Sequence, residues 1–126
     1  MPSALTRLLL LWGPVALYMA ALFLLSSQPV LPGGSLTPDW TQHGVAYAGL
    51  AVVTLRATAG GRWSGVGAGA LVAAWVIAAI YGVSDEVHQS FVPERMADVR
   101  DIVADAVGAA LGLGAAWAWS IIRRSS

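Results

Sequence analysis

The sequence predicts an all-α integral membrane protein, a four-transmembrane-helix bundle with an outward-facing polar pocket. Hydrophobic residues make up 57% of the 126 residues and charged residues 11%, whereas about 25% of the residues in an average soluble domain are charged. The apolar residues form four runs, each close to the ~20 residues that cross a bilayer. The sequence contains no cysteine, which excludes disulfides and thiolate sites. It also contains no lysine, so no broad polybasic patch indicates nucleic-acid binding.

The four runs predict a single membrane domain over residues 1–126. Its helices are expected at approximately residues 5–25, 43–59, 65–89 and 99–122. The first helix contains Pro14, which predicts a kink. The second is the least apolar, because Arg56 lies near its end, where an arginine side chain can reach the membrane surface. Pro93 predicts a turn between the third and fourth helices.

Charged residues are distributed unevenly between the two sides of this predicted bundle. Five of the seven arginines flank one side, and all seven acids fall on the other. Because cytoplasmic loops are enriched in arginine and lysine, we expect the arginine-rich side to face the cytoplasm. This predicts a multi-pass protein with both termini cytoplasmic and its acids outside.

The fourth predicted helix carries a stripe of acids. Asp98, Asp101 and Asp105 are spaced i, i+3 and i+7, which places them on one helical face. Gly108 and Gly112 continue this stripe, and small residues four apart let membrane helices approach closely. Favourable placement at a helix start explains one acid, but Asp105 lies about a turn deeper. A buried ion pair with Arg95 or Arg100 is an alternative role for Asp101 and Asp105.

The other helices bring polar residues to the same side. Such residues recur every four positions at the start of the second helix and at the end of the third, and two serines end the first. The members are Asp39, His43, Tyr47, Asp85, Glu86, Gln89, Ser26 and Ser27, with Arg95 in the turn before the fourth helix. His88 is expected to be exposed to solvent. All four helices thus contribute to one predicted outer pocket.

The third and fourth helices resemble the signature of the VanZ-like family of small bacterial membrane proteins. The pattern D-E-x-x-Q-x-F-x-P-x-R runs from Asp85 to Arg95, and Asp98, Asp101 and Gly108 follow it. The family often carries lysine where this chain has Trp40, and asparagine where it has Asp105. These two differences make the site more negative and favour a metal ion.

The resemblance implies a role at the bacterial envelope, in the cytoplasmic membrane. The family's named member is associated with resistance to glycopeptide antibiotics, teicoplanin in particular. One hypothesis is that the pocket binds an anionic envelope lipid or a lipid-linked wall precursor, with Arg95 and His43 on its phosphate. The candidate ligand-binding residues are Arg95, Gln89, Tyr47, Asp98, Asp105 and Ser27.

A second hypothesis is a metal-assisted enzyme acting on a phospholipid or polyprenyl-phosphate lipid. Carboxylates can hold Mg²⁺ or Mn²⁺, and a carboxylate or His43 can serve as general base. The candidate metal ligands are Asp85, Asp101 and Asp105, and the candidate catalytic residues are Asp85, Glu86, Asp101 and His43. A third hypothesis is a structural partner subunit whose ion pairs fix helix register. The sequence leaves enzymatic activity and the oligomeric state open, including a homo-oligomer.

Overall fold

The computed structural model describes residues 1–28 and 39–125, and it is all-helical there. Four long helices follow one another: α1 (Ala4–Ser26), α2 (Asp39–Thr58), α3 (Ala68–Gln89) and α4 (Val99–Ser125). A short 3₁₀ turn, Trp63–Gly65, precedes α3. The side chain of Asp39, which the sequence groups with His43 and Tyr47, lies outside the described residues.

The helix bounds agree with the predicted ones to within a few residues. The largest differences are at the starts of α2 and α3 and at the end of α4, which reaches Ser125 instead of residue 122. The second helix begins at Asp39 instead of residue 43. The third begins at Ala68 instead of residue 65, because Gly65 belongs to the 3₁₀ turn and packs directly against the main chain of Ala59.

Among the described residues, three helices are long and apolar enough to cross a membrane, namely α1, α3 and α4. The second helix has 20 residues, but Gln42, His43 and Arg56 make it more polar. It also packs against each of the other three helices and contributes buried residues such as Tyr47 and Leu50 to the core. A helix covered by its neighbours needs fewer apolar residues than one that faces lipid. The fourth membrane span stays a prediction.

Two glycines of α4 allow close contact with α2. A Cβ added to Gly108 would lie 2.7 Å from the Cα of Gly44, and one added to Gly112 would lie 3.0 Å from the Cα of Ala48. Real Cβ atoms are not found this close to a neighbouring main chain, so only glycine fits at Gly108. The predicted packing through small residues is thus confirmed for this pair of helices.

The side chains separate the bundle into two ends. At the polar end, where α1 and α3 finish and α2 and α4 begin, His43 meets Asp105 and Ser26 meets His88. At the arginine end, Arg124 donates a hydrogen bond to the carbonyl of Val66. The sequence therefore separates acids and arginines correctly between the two ends, while the side that faces the cytoplasm stays a prediction.

Pro14 lies within α1 and has no N–H to donate to the carbonyl of Leu10, four residues earlier. Arg56 of α2 donates to that carbonyl instead, with its Nη1 2.9 Å from the oxygen. In a membrane a proline-freed carbonyl needs such a substitute donor. Arg56, which is exposed, thus joins α2 to α1 through this hydrogen bond, and its reach toward the membrane surface stays a prediction.

Candidate functional site

Five ionisable side chains meet at the polar end and are almost completely buried. We name them the acid–histidine cluster: His43 of α2, Asp85 and Glu86 of α3, and Asp101 and Asp105 of α4. Their exposed fractions are 5%, 6%, 4%, 5% and 1%. Buried ionisable groups are rare in membrane helices and usually have a function. The open pocket that the sequence predicts at this end stays a prediction.

His43 lies between the two buried acids of α4. Its Nδ1 is 2.9 Å from Asp105 Oδ1, and because a carboxylate oxygen only accepts, the ring nitrogen carries the hydrogen. Its Nε2 faces Asp101 Oδ2 at 3.8 Å. Asp105 thus fixes both the tautomer and the orientation of the imidazole.

Glu86 connects α3 to the start of α4. Its Oε1 accepts a hydrogen bond of 2.7 Å from the main-chain N–H of Asp98. Its Oε2 is buried and has no hydrogen-bond partner in the described part of the chain. An unsatisfied buried carboxylate oxygen is costly, so this atom is suited to receive a proton donor or a cation.

Asp85 is held from α2. The hydroxyl of Tyr47 donates a hydrogen bond of 3.1 Å to Asp85 Oδ2, while Asp85 Oδ1 is buried without a partner in residues 1–28 and 39–125. Gly82, one turn earlier on α3, leaves room for the side chain of Asp105. A Cβ at position 82 would lie 2.9 Å from Asp105 Oδ2. Gly82 was not predicted from the sequence, although its spacing from Glu86 could have indicated a shared face.

The two arginines of this region do not pair with the buried acids. Arg100 is exposed, with its Nη2 3.0 Å from Asp98 Oδ2. Arg95 donates from Nη1 to the carbonyl of Gln28 at 3.2 Å. It forms no ion pair with an acid whose side chain is described. The sequence suggested that Asp101 and Asp105 form buried ion pairs with Arg95 or Arg100. These ion pairs are not formed.

Asp98 departs from the predicted stripe. It precedes the first residue of α4, and its carboxylate is bound by the main-chain N–H and then the guanidinium of Arg100. These two contacts hold the pKa of Asp98 below its usual value. Its carboxylate is thus directed away from the cluster, to which Asp98 contributes only its main-chain N–H.

The end of α1 binds His88 instead of the cluster. The hydroxyl of Ser26 lies 3.2 Å from His88 Nδ1, and that of Ser27 lies 3.4 Å from Nε2 while it donates to the carbonyl of Phe23. The ring of His88 also stacks on Phe23. The expectation that His88 is exposed is wrong, since it is half-buried. Gln89, another predicted ligand residue, lies one turn after Glu86 on α3, and only 2% of its surface is exposed.

The geometry changes the set of candidate metal ligands. Among the described residues, ligand atoms of His43, Glu86 and Asp101 lie within 4.8 Å of one another. The sequence proposed Asp85, Asp101 and Asp105. Asp101 alone is common to the predicted set and to the set that the structure brings together. Asp85 instead accepts a hydrogen bond from Tyr47, and Asp105 contacts His43.

These helices and the buried cluster define a class, a small helical membrane protein with an ionisable site at one end. The sequence matches the family model described as VanZ/LLP1 over residues 9–122, nearly the whole chain. The chain belongs to this VanZ-like family, which confirms the resemblance seen in the sequence. No curated protein and no solved structure gives a significant match.

Proposed function

We propose that this protein binds the phosphate-bearing headgroup of an anionic envelope lipid or a lipid-linked wall precursor at its polar end. The main supporting observation concerns Arg95. One of its guanidinium nitrogens donates to Gln28, while Nη2 is buried and has no hydrogen-bond partner among the described residues. A buried unpaired donor is costly, and phosphate oxygens are the acceptors that a guanidinium fork fits best.

The distribution of charge supports an outer-leaflet ligand. The acids lie at the polar end, and five of the seven arginines lie toward the other. By the positive-inside rule, this distribution favours both termini in the cytoplasm of a bacterial cell. The polar end would face the outer leaflet, where glycopeptide antibiotics such as teicoplanin meet wall precursors. Binding there would alter the access of the antibiotic to its target.

Replacing Arg95 with glutamine is expected to weaken binding of the phosphate headgroup at least about tenfold, because a charge-assisted hydrogen bond is lost. Native mass spectrometry of the protein in nanodiscs, titrated with anionic phospholipid or undecaprenyl phosphate, measures this. Arg100→Gln is the matched control, because Arg100 is exposed and pairs with Asp98 at the surface. Equal affinity of Arg95→Gln and the wild type would contradict the proposal.

A metal-assisted enzyme acting on the same lipids is the second candidate. It is favoured by the arrangement of His43, whose Nδ1 is held by Asp105 while Nε2 faces Asp101. A histidine oriented by a carboxylate is the usual general base of hydrolytic sites.

If the protein is an enzyme, cells with the wild type will contain a lipid or precursor species that differs from cells with Asp101→Ala or without the protein. Mass spectrometry of envelope lipids and wall precursors tests this. Membrane levels of both forms must be matched by immunoblot. Identical lipid profiles together with different teicoplanin sensitivity would favour binding over catalysis.

A further inference from the structure

The group formed by His43, Glu86 and Asp101 has the composition of a metal site. We propose that these three residues bind one divalent metal ion of the Mn²⁺ type at the polar end. This inference deepens the proposed function, because the ion would let an acidic cluster accept a phosphate. It differs from the ligand set expected from the sequence in using His43 and Glu86.

The distances fit one ion after a small adjustment. The three ligand atoms lie within 4.8 Å of one another. Three ligands that surround one ion at about 2.1 Å are roughly 3.0–3.6 Å apart. The three residues come from three different helices, so side-chain movements of roughly an ångström would close the site.

The orientation of His43 supports metal binding independently of the distances. Metal-binding histidines commonly donate their second ring N–H to a carboxylate, which fixes the tautomer and increases ligand basicity. Asp105 provides this contact at 2.9 Å from Nδ1. The other ring nitrogen, Nε2, is turned toward Asp101, with 3.8 Å between Nε2 and Asp101 Oδ2.

Glu86 provides the second independent observation. It is 4% exposed, and the main-chain N–H of Asp98 anchors Oε1 at 2.7 Å. Its Oε2 is buried and without a hydrogen-bond partner among the described residues. One oxygen is thus fixed by the main chain while the other stays ready to bind a cation.

The charge of the cluster also favours a cation. Four carboxylates and one imidazole are buried together, and Arg95 and Arg100 bind elsewhere. Several like charges in a low-dielectric site are unfavourable without compensation. Carboxylates suit Mn²⁺ and an imidazole suits first-row transition metals, so this mixed ligand set favours an ion of that group over Ca²⁺.

Electron paramagnetic resonance of purified full-length protein, titrated with Mn²⁺ in detergent, tests the inference. The wild type is expected to bind one Mn²⁺ per chain, competed by Zn²⁺. Glu86→Gln should weaken Mn²⁺ binding at least about 100-fold. Loss of a residue that only orients a metal ligand weakens metal binding by about 10- to 100-fold. Glu94→Gln removes the same charge from an exposed turn residue and should bind like the wild type.

Thermal unfolding without metal provides a second readout. Glu86→Gln should melt at a higher temperature than the wild type in chelator, because it removes a buried charge, and it should lose the stabilisation that Mn²⁺ gives. Absence of Mn²⁺ binding by the folded wild type, or equal binding by Glu86→Gln, would overturn the metal site. The phosphate proposal fails separately, if Arg95→Gln leaves headgroup binding unchanged while Mn²⁺ still binds.

Discussion

Replacing Gly108 with alanine is expected to destabilise the protein by about 3 kcal/mol, the upper end of the usual cost of overpacking, because main-chain atoms cannot rearrange as a side chain can. The added Cβ would lie 2.7 Å from both the Cα and the carbonyl carbon of Gly44, so α2 and α4 would have to separate. Gly44 follows His43 directly, so the substitution should also displace the imidazole from Asp105. Thermal unfolding in detergent, followed by tryptophan fluorescence, measures the change.

Gly114 offers a control within the same helix. A Cβ added there meets no atom within 4 Å, and alanine is favoured over glycine in a helix by up to about 1 kcal/mol. Gly114→Ala should therefore be neutral or slightly stabilising. If both variants lost stability equally, the contact between Gly108 and Gly44 would not be the cause of the loss.

Replacing His43 with leucine is expected to destabilise the protein by about 3–5 kcal/mol, the usual effect of removing one partner from a buried charged group. Asp105 would lose the ring nitrogen now 2.9 Å away, while the acid stays 1% exposed. Chemical unfolding in mixed micelles compares the free energies of unfolding of the variant and the wild type.

The matched variant is Asp105→Asn, which keeps an oxygen acceptor for His43 and removes one buried charge. The family often has asparagine there, so this change should have only a small effect on stability. Combining it with His43→Leu should recover part of the lost stability, since the buried charge is absent. Strict additivity of the two substitutions would indicate that His43 and Asp105 do not interact.

The positions that share a helical face could be predicted from spacing alone. Asp101 and Asp105 are one turn apart and both are buried, and His43 and Tyr47 are likewise adjacent on α2. Helical geometry determines such neighbours without knowledge of the rest of the fold. The repeated small residues of α4 indicated its close contact in the same way.

Contacts between helices could not be predicted. Asp85 and Glu86 are consecutive, and spacing alone did not show that Tyr47 would bind the first and the Asp98 N–H the second. The carboxylate of Asp98 was misplaced because Asp98 lies just before α4, where a side chain can turn back to the main chain. Such details depend on how neighbouring helices are positioned.

The hydrogen bond from Arg56 to Leu10 has a consequence for biogenesis. A first helix inserted alone would expose to lipid a carbonyl that Pro14 leaves without its usual donor. That carbonyl is satisfied only after the second helix, carrying Arg56, has arrived beside it. The hydrogen bond from Arg56 therefore couples the satisfaction of this α1 carbonyl to the docking of α2.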